Sequence, residues 1–212
     1  ITGTFGVMMV LLVYSLKRDV RWFGLFIILP ALLSLGLAVT VLYTESAQLI
    51  PALKSYWLLI HVSAAVVSAG MFAIGGVLTI LQLLVDKEER SLAAGNPPSK
   101  LSAVTSRVPD SKALDLLSYK VHAFVFPLWT FTVVAGAIWA RSAWGRYWGW
   151  DPKETWAFVT WVGYAAYLHA RITVGWKGNR AAYIALIAFL TFIFNYFFVN
   201  FFFAGLHVYS GK

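Results

Sequence analysis

Trp144-Gly145-Arg146-Tyr147-Trp148-Gly149-Trp150-Asp151-Pro152-Lys153-Glu154-Thr155-Trp156 puts four tryptophans, a tyrosine, two cations and two carboxylates within thirteen residues. Oily sequence flanks it, 121–140 before and 156–172 after. Asp151, Pro152 and Glu154 read as N-cap, N1 and N3 of a helix. An aspartate there accepts from free amides, proline has no amide to lose at N1, and a glutamate at N3 reaches back to the cap. The stretch is therefore predicted as the loop that joins two apolar helices.

Working outward, 60% hydrophobic and only 12% charged residues in 212 would expose too much apolar surface to water, so lipid is the expected solvent. Several runs exceed the roughly 18 apolar residues needed to cross a hydrocarbon core of about 30 Å, where only helices or closed barrels satisfy their backbone. The runs are continuous rather than alternating, which predicts helices. The expected fold is an all-α integral membrane protein, a polytopic bundle of about six transmembrane helices. Its spans are 1–16, 22–43 with Pro30 as an interior kink, 56–85, 121–140 with Pro127 inside it, 152–172 and 181–206. The organisation follows as 1–55 N-terminal helices, 56–85 a third helix, 86–120 a cytoplasmic linker, and 121–212 a core with the tryptophan-rich loop 141–156 between the fourth and fifth helices. The linker, which carries Gly95-Asn96-Pro97-Pro98, is expected to be flexible at least in its middle. The chain opens at Ile1 inside an apolar run with no recognisable signal peptide, so upstream residues are expected.

The net charge of +8 does not point to nucleic acid, because of how it is distributed. Twelve of the 17 lysines and arginines fall in alternate connections, around 17–21, 87–120 and 171–180, and five in the others. That is the positive-inside bias, and it sets orientation. It places the tryptophan-rich loop, His61 and His207 on the external side and His122 and His169 toward the cytoplasm. With no cysteine, the chain supplies no thiolate metal site, disulfide or thiol chemistry, so any thiol must come from a partner.

Interfacial tryptophan is ordinary in membrane proteins, but a belt scatters its rings over several helix ends. Here they crowd one loop, with Gly145 and Gly149 allowing close backbone approach to something flat. A lipid belt and a platform for a large aromatic ligand both remain open. Histidine within a bilayer needs a partner. His61 and His207 bracket the platform on one side, and neutral imidazole is a good axial ligand for haem iron; interhelical hydrogen bonding is the alternative. His122 reads first as a hydrogen-bonded ring near the headgroups. Arg141, Arg146 and Lys153 suit carboxylates such as haem propionates, or simply solvate the loop. Asn195 and Asn200 read as interhelical hydrogen bonds.

The loop, together with Tyr167-Leu168-His169-Ala170-Arg171 and Gly205-Leu206-His207-Val208-Tyr209, closely resembles the CcsA/ResC family, some members of which are named CcsB. These are WWD-domain, haem-handling subunits of the system II cytochrome c synthase. The resemblance takes in Trp57-Leu58-Leu59-Ile60-His61-Val62 and Phe126-Pro127-Leu128-Trp129 and covers roughly 56–212; the first two helices carry little of it. His122 and the long 86–120 segment depart from the pattern.

That resemblance implies that His61 and His207 ligate haem iron at the external face, with Trp144, Trp148, Trp150, Trp156, Asp151 and Arg146 presenting it. His169 matches a transmembrane haem ligand whose opposite ligand lies on a ResB-like membrane subunit. The implied activity is that of a holocytochrome c synthase subunit in the cell membrane. It carries haem b outward and presents it to the Cys-X-X-Cys-His segment of apocytochrome c, with thiol-reducing membrane proteins as further partners. No residue is assigned a catalytic role beyond haem presentation. Two alternatives stay open: a haem exporter without attachment activity, and a bis-histidine cytochrome b using His122 and His169.

Overall fold

The structure, a computed structural model, describes residues 21–40 and 53–207. The expected span 1–16 and the end of the 205–209 motif lie outside them. Among the described residues every regular element is helical: α1 (Arg21–Thr40), α2 (Tyr56–Ala93), a single turn α3 (Ser102–Thr105), α4 (Ser111–Trp144), α5 (Pro152–Ile172), α6 (Asn179–Ile193), a π-helical turn Phe194–Phe198, and α7 (Val199–Phe202). The chain is an all-α membrane protein. Among the described residues three helices are long and apolar enough to cross a bilayer: α2, α4, and α6 continued to Phe198. α5 has 21 residues, about 31 Å of helix, but Lys153, Glu154, His169 and Arg171 make it more polar.

α2 packs along α4, α5 pairs with α6, and α2 against α6 and α4 against α5 close a four-helix arrangement. α6 turns Ala181, Ala185 and Ala188 inward, all buried at i, i+4 and i+7. Small residues let backbones approach closely, which is how helices associate where lipid removes the hydrophobic drive. Phe72, fully buried, stacks on Tyr164 at 4.3 Å between ring centroids and closes the middle of the bundle.

The basic end is tied by polar side chains. Arg171 donates to both carboxylate oxygens of Asp115 at 2.8 Å and lies over the Tyr119 ring. Asp115 also accepts from the Gly178 amide, while Asn179 bridges Gln82 and Asp86.

The segment 86–120 is far more helical than its composition suggests. α2 runs 38 residues, about 57 Å, and α4 runs 34, so both project well beyond a 30 Å hydrocarbon layer. The onset of charge at Asp86 does not end the helix, because Lys, Glu and Arg are good helix formers in water. The connection between them is fastened to α2. Glu88 accepts from the amide and hydroxyl of Ser99 and from the hydroxyl of Ser102, and Glu89 accepts from the amide and hydroxyl of Ser111.

The last long helix is interrupted. Over Phe194–Phe198 the ladder widens to i→i+5, and the Asn195 carbonyl accepts from Lys153 Nζ at 2.8 Å. It is thus the backbone of Asn195 that joins two helices. Its buried side-chain oxygen has no hydrogen-bond partner among the described residues.

Candidate functional site

At the end of the bundle opposite Asp115, α2 begins with Ser55 as N-cap, its hydroxyl accepting from the Trp57 amide at 3.2 Å. His61 follows in the second turn. Its Nδ1 lies 3.0 Å from the carbonyl oxygen of Thr132 on α4. A carbonyl only accepts, so Nδ1 carries the proton and Nε2 the lone pair. The ring fits there because α4 has glycine at 136; a Cβ would come 2.8 Å from Cε1 and 2.9 Å from Nδ1 of His61. One turn on, Trp139 stacks parallel to the imidazole, 5.9 Å between centroids and 9° between planes.

Trp139 is the hub. Its buried indole also meets Trp144 edge-on at 4.8 Å and His207 at 5.8 Å, and Trp144 meets His207 at 4.8 Å. Two imidazoles separated by 146 positions in sequence therefore share one indole. α4 stops at Trp144 because Gly145 takes the left-handed conformation at φ 77° and returns its amide to the Arg141 carbonyl.

The loop then turns into α5. Trp150 is held at φ 56°, unusual for a bulky residue. It is two-thirds exposed and meets Trp148 and Phe158 edge-on. Arg146 folds over Gly149. Trp156 turns the other way, against Phe194 at 4.3 Å, and does not join the ring cluster around the histidines.

Asp151 and Glu154 form the capping box that their spacing predicts. Asp151 accepts from the Lys153 amide at 2.9 Å, and Glu154 accepts from the amides of Asp151 and Gly149. Asp151 does more than cap. Oδ1 accepts from Nδ1 of His207 at 3.0 Å, and Oδ2 accepts from the Leu206 amide at 2.7 Å. Gly205 permits this approach, since a Cβ there would lie 2.4 Å from Oδ2. Burial pulls the pKa of His207 below the ordinary value of 6.5, with the Asp151 carboxylate opposing the shift. The pair is therefore a neutral imidazole donating Nδ1–H to a carboxylate, with Nε2 again the lone-pair atom.

The other two histidines face different surroundings. His169 is exposed on α5, on a stripe with Phe158, Val162 and Ile172. Tyr167, two residues away, is buried. His122 is fully buried and meets Tyr164 and Tyr167 at 5.0 and 5.3 Å. Because Tyr167 and His169 point to opposite sides of α5, the fold keeps His122 and His169 of one chain apart, and the bis-histidine pairing of the cytochrome b alternative is not built. His122 Nε2 also lies 3.3 Å from Thr79 Oγ1 on α2, a contact between two helices.

Thr132, Gly136 and Trp139 belong to this end and are not singled out by the sequence reading, which names Gly205 only as the first residue of the 205–209 motif. Gly136 and Trp139 are three apart on one helical face, which is the signal available in the sequence.

A family model described as "Cytochrome C assembly protein" matches residues 3–207. The chain belongs to the cytochrome c assembly protein family. Its relatives within that family include proteins named cytochrome c biogenesis protein CcsA. That of Guillardia theta is 44% identical over 78% of this chain and 58% of its own length. That of Prochlorococcus marinus strain SARG is 43% identical over 85% and 63%, and that of Trieres chinensis 36% identical over 98% and 74%. The chain thus spans about three-fifths of the length of the first two CcsA relatives. The cytochrome c assembly family and the helical membrane fold agree on the kind of protein that the His61–Trp139–His207 cluster belongs to.

Proposed function

We propose that this chain is the haem-presenting membrane subunit of a cytochrome c synthase, and that its tryptophan-rich end lies at the external membrane face. The observation that carries this reading is the matched state of two histidines at one end of the bundle. His61 spends Nδ1 on a carbonyl and His207 spends Nδ1 on a carboxylate, and both pack on Trp139. Fixing the tautomer this way makes Nε2 the ligating atom and raises its basicity, as second-shell acceptors do for metal-bound imidazole. Trp139 supplies aromatic surface beside both rings and Trp144 beside His207, and Trp148 and Trp150 extend it along the loop. Arg146 is the cation placed for propionates.

Haem, the substrate carried, supplies the vinyl groups: each cysteine S–H of a Cys-X-X-Cys-His segment of apocytochrome c adds across one, making a C–S and a C–H bond with no net redox change. The chain's own residues bind iron, orient the ring and exclude oxidants, which accounts for thioether chemistry in a protein without cysteine. The exposed His169 stripe suits a second, transmembrane site completed by a ligand from a ResB-like subunit, because a polar ring facing lipid is costly without a partner.

The test is co-purification with the membrane partners, followed by absorption spectra and attachment assays. His61→Ala and His207→Ala are expected to abolish attachment and to recover part of it with added imidazole. His169→Ala is expected to remove a distinct spectral component. A His61/His207 double variant with full external haem would overturn the proposal, and transferable haem without attachment in the reconstituted complex would support an exporter instead.

A further inference from the structure

About 15 Å along α4 from Thr132, toward the basic end, three helices enclose a second polar cluster. Thr79 of α2, Ser118 and His122 of α4, and Tyr164 of α5 are all buried. Their proton inventory can be assigned. The Thr79 hydroxyl has one proton and donates it to the Gly75 carbonyl at 2.8 Å. Any other polar hydrogen-bond partner of Thr79 Oγ1 must then donate to it. On that assignment Ser118 is the donor at 2.7 Å and His122 Nε2 the donor at 3.3 Å. A neutral His122 ring with its proton on Nε2 leaves Nδ1 as a bare acceptor.

That Nδ1 is fully buried and has no hydrogen-bond partner among the described residues; nor does the Tyr164 hydroxyl, which is equally buried. The two rings are neighbours, 5.0 Å apart at a tilt of 38°. One lacks a donor and the other, a phenol, has a proton to give. Native interiors rarely leave such a complementary pair unmet. The walls are close: α2 passes so near that a Cβ at Gly75 would lie 2.4 Å from Cε1 and 2.8 Å from Nδ1, and Phe72 stacks on Tyr164. Nothing the size of a porphyrin enters there, so the ligand is small and able both to donate and to accept.

We propose that one ordered water molecule binds between His122 and Tyr164, accepting from the phenol and donating to Nδ1, and so completes a network that pins α2, α4 and α5 together. A buried water needs room and a polar setting with at least two partners, and the two orphan groups supply the partners. The helices it joins are those that carry His61, Trp139 and the Asp151 cap, so the site sets the register on which the tryptophan end depends. It stands whether or not that end holds haem.

The experiment is solid-state NMR of the full chain in lipid bilayers with 15N-labelled histidine. With only four histidines, His122 is assigned by the signal missing in His122→Gln. Expected are an Nε2–H tautomer, an Nδ1 shift typical of a hydrogen-bonded acceptor, and magnetisation transfer from water to the His122 ring. In Tyr164→Phe the Nδ1 shift should move toward that of a free acceptor, and the thermal midpoint should fall. An Nδ1–H tautomer, an absence of transfer from water, or a midpoint that rises in Tyr164→Phe because an orphan hydroxyl was removed, each overturns the site. If either variant fails to fold, the wild-type tautomer and water transfer decide, and assignment can come from contacts of the His122 ring to Tyr164 and Tyr167.

Discussion

Nδ1 of His207 lies 3.0 Å from one oxygen of Asp151, whose other oxygen holds the amide of the preceding residue, Leu206. A helix cap and the anchorage of a candidate ligand therefore reside in a single side chain. In Asp151→Ala both are lost. Cap removal alone costs about 1 kcal/mol, and attachment activity should vanish. Asp151→Asn keeps one acceptor oxygen for the Lys153 amide and the imidazole but points its amide group at the Leu206 amide, donor against donor. It should retain intermediate activity and stability. Equal, complete loss in both, measured as attachment rate and thermal midpoint, would mean the carboxylate has a chemical role instead.

The lowered pKa of His207 fixes the sign of a pH effect. Burial favours the neutral ring in the fold, so the unfolded chain binds the extra proton first as pH falls below 6.5. The stability tied to this residue is therefore complete above that value. It is lost as pH falls toward the lower folded-state pKa, together with the Nε2 lone pair. The external haem component should fade with acid over that window, and His207→Gln, which does not titrate, should flatten the stability dependence. Stability that rises with acid over this range would contradict the assignment.

Gly136 separates space from chemistry. In Gly136→Ala the new methyl collides with the His61 ring, which must swing off the Thr132 carbonyl; overpacking of this kind costs about 1–3 kcal/mol. External haem should be lost as in His61→Ala. Added imidazole should not restore it, because the displaced ring still fills the site. Equal rescue of the two variants would show that His61 is not the group displaced.

Trp150 occupies left-handed backbone at φ 56°, where a residue with a Cβ costs about 1–2 kcal/mol. Trp150→Gly relieves that strain and removes a ring two-thirds exposed. The thermal midpoint should hold or rise while attachment falls. A fall in stability without a change in activity would identify the ring as a packing element.

Much of this was legible because membrane sequence is written in strong signals. Long apolar runs set the helices, and the Asp151-Pro152-x-Glu154 spacing set the cap and with it the start of α5. The ends of α2 and α4 were not, because hydropathy reports the solvent around a helix and not the helix itself. The pairing of Glu88 and Glu89 with three serines is a tertiary fact that no local pattern announces. Trp139 was hidden for another reason. Inside an apolar span a tryptophan looks like any other large side chain, and only the arrival of His61 from α2 and His207 from the chain's far end makes it a hub. Asn195 shows the limit of reading side chains alone, since the bond between helices is made by its carbonyl, freed by a π-turn.

His61 and His207 are mounted unequally. The first rides on a 38-residue rod braced along its length by α4, whereas the second follows the last helical turn and is moored chiefly by hydrogen bonds converging on one carboxylate. The position of the second imidazole therefore depends on the Asp151 side chain in a way that the first does not, giving the pair a fixed jaw and a loose one.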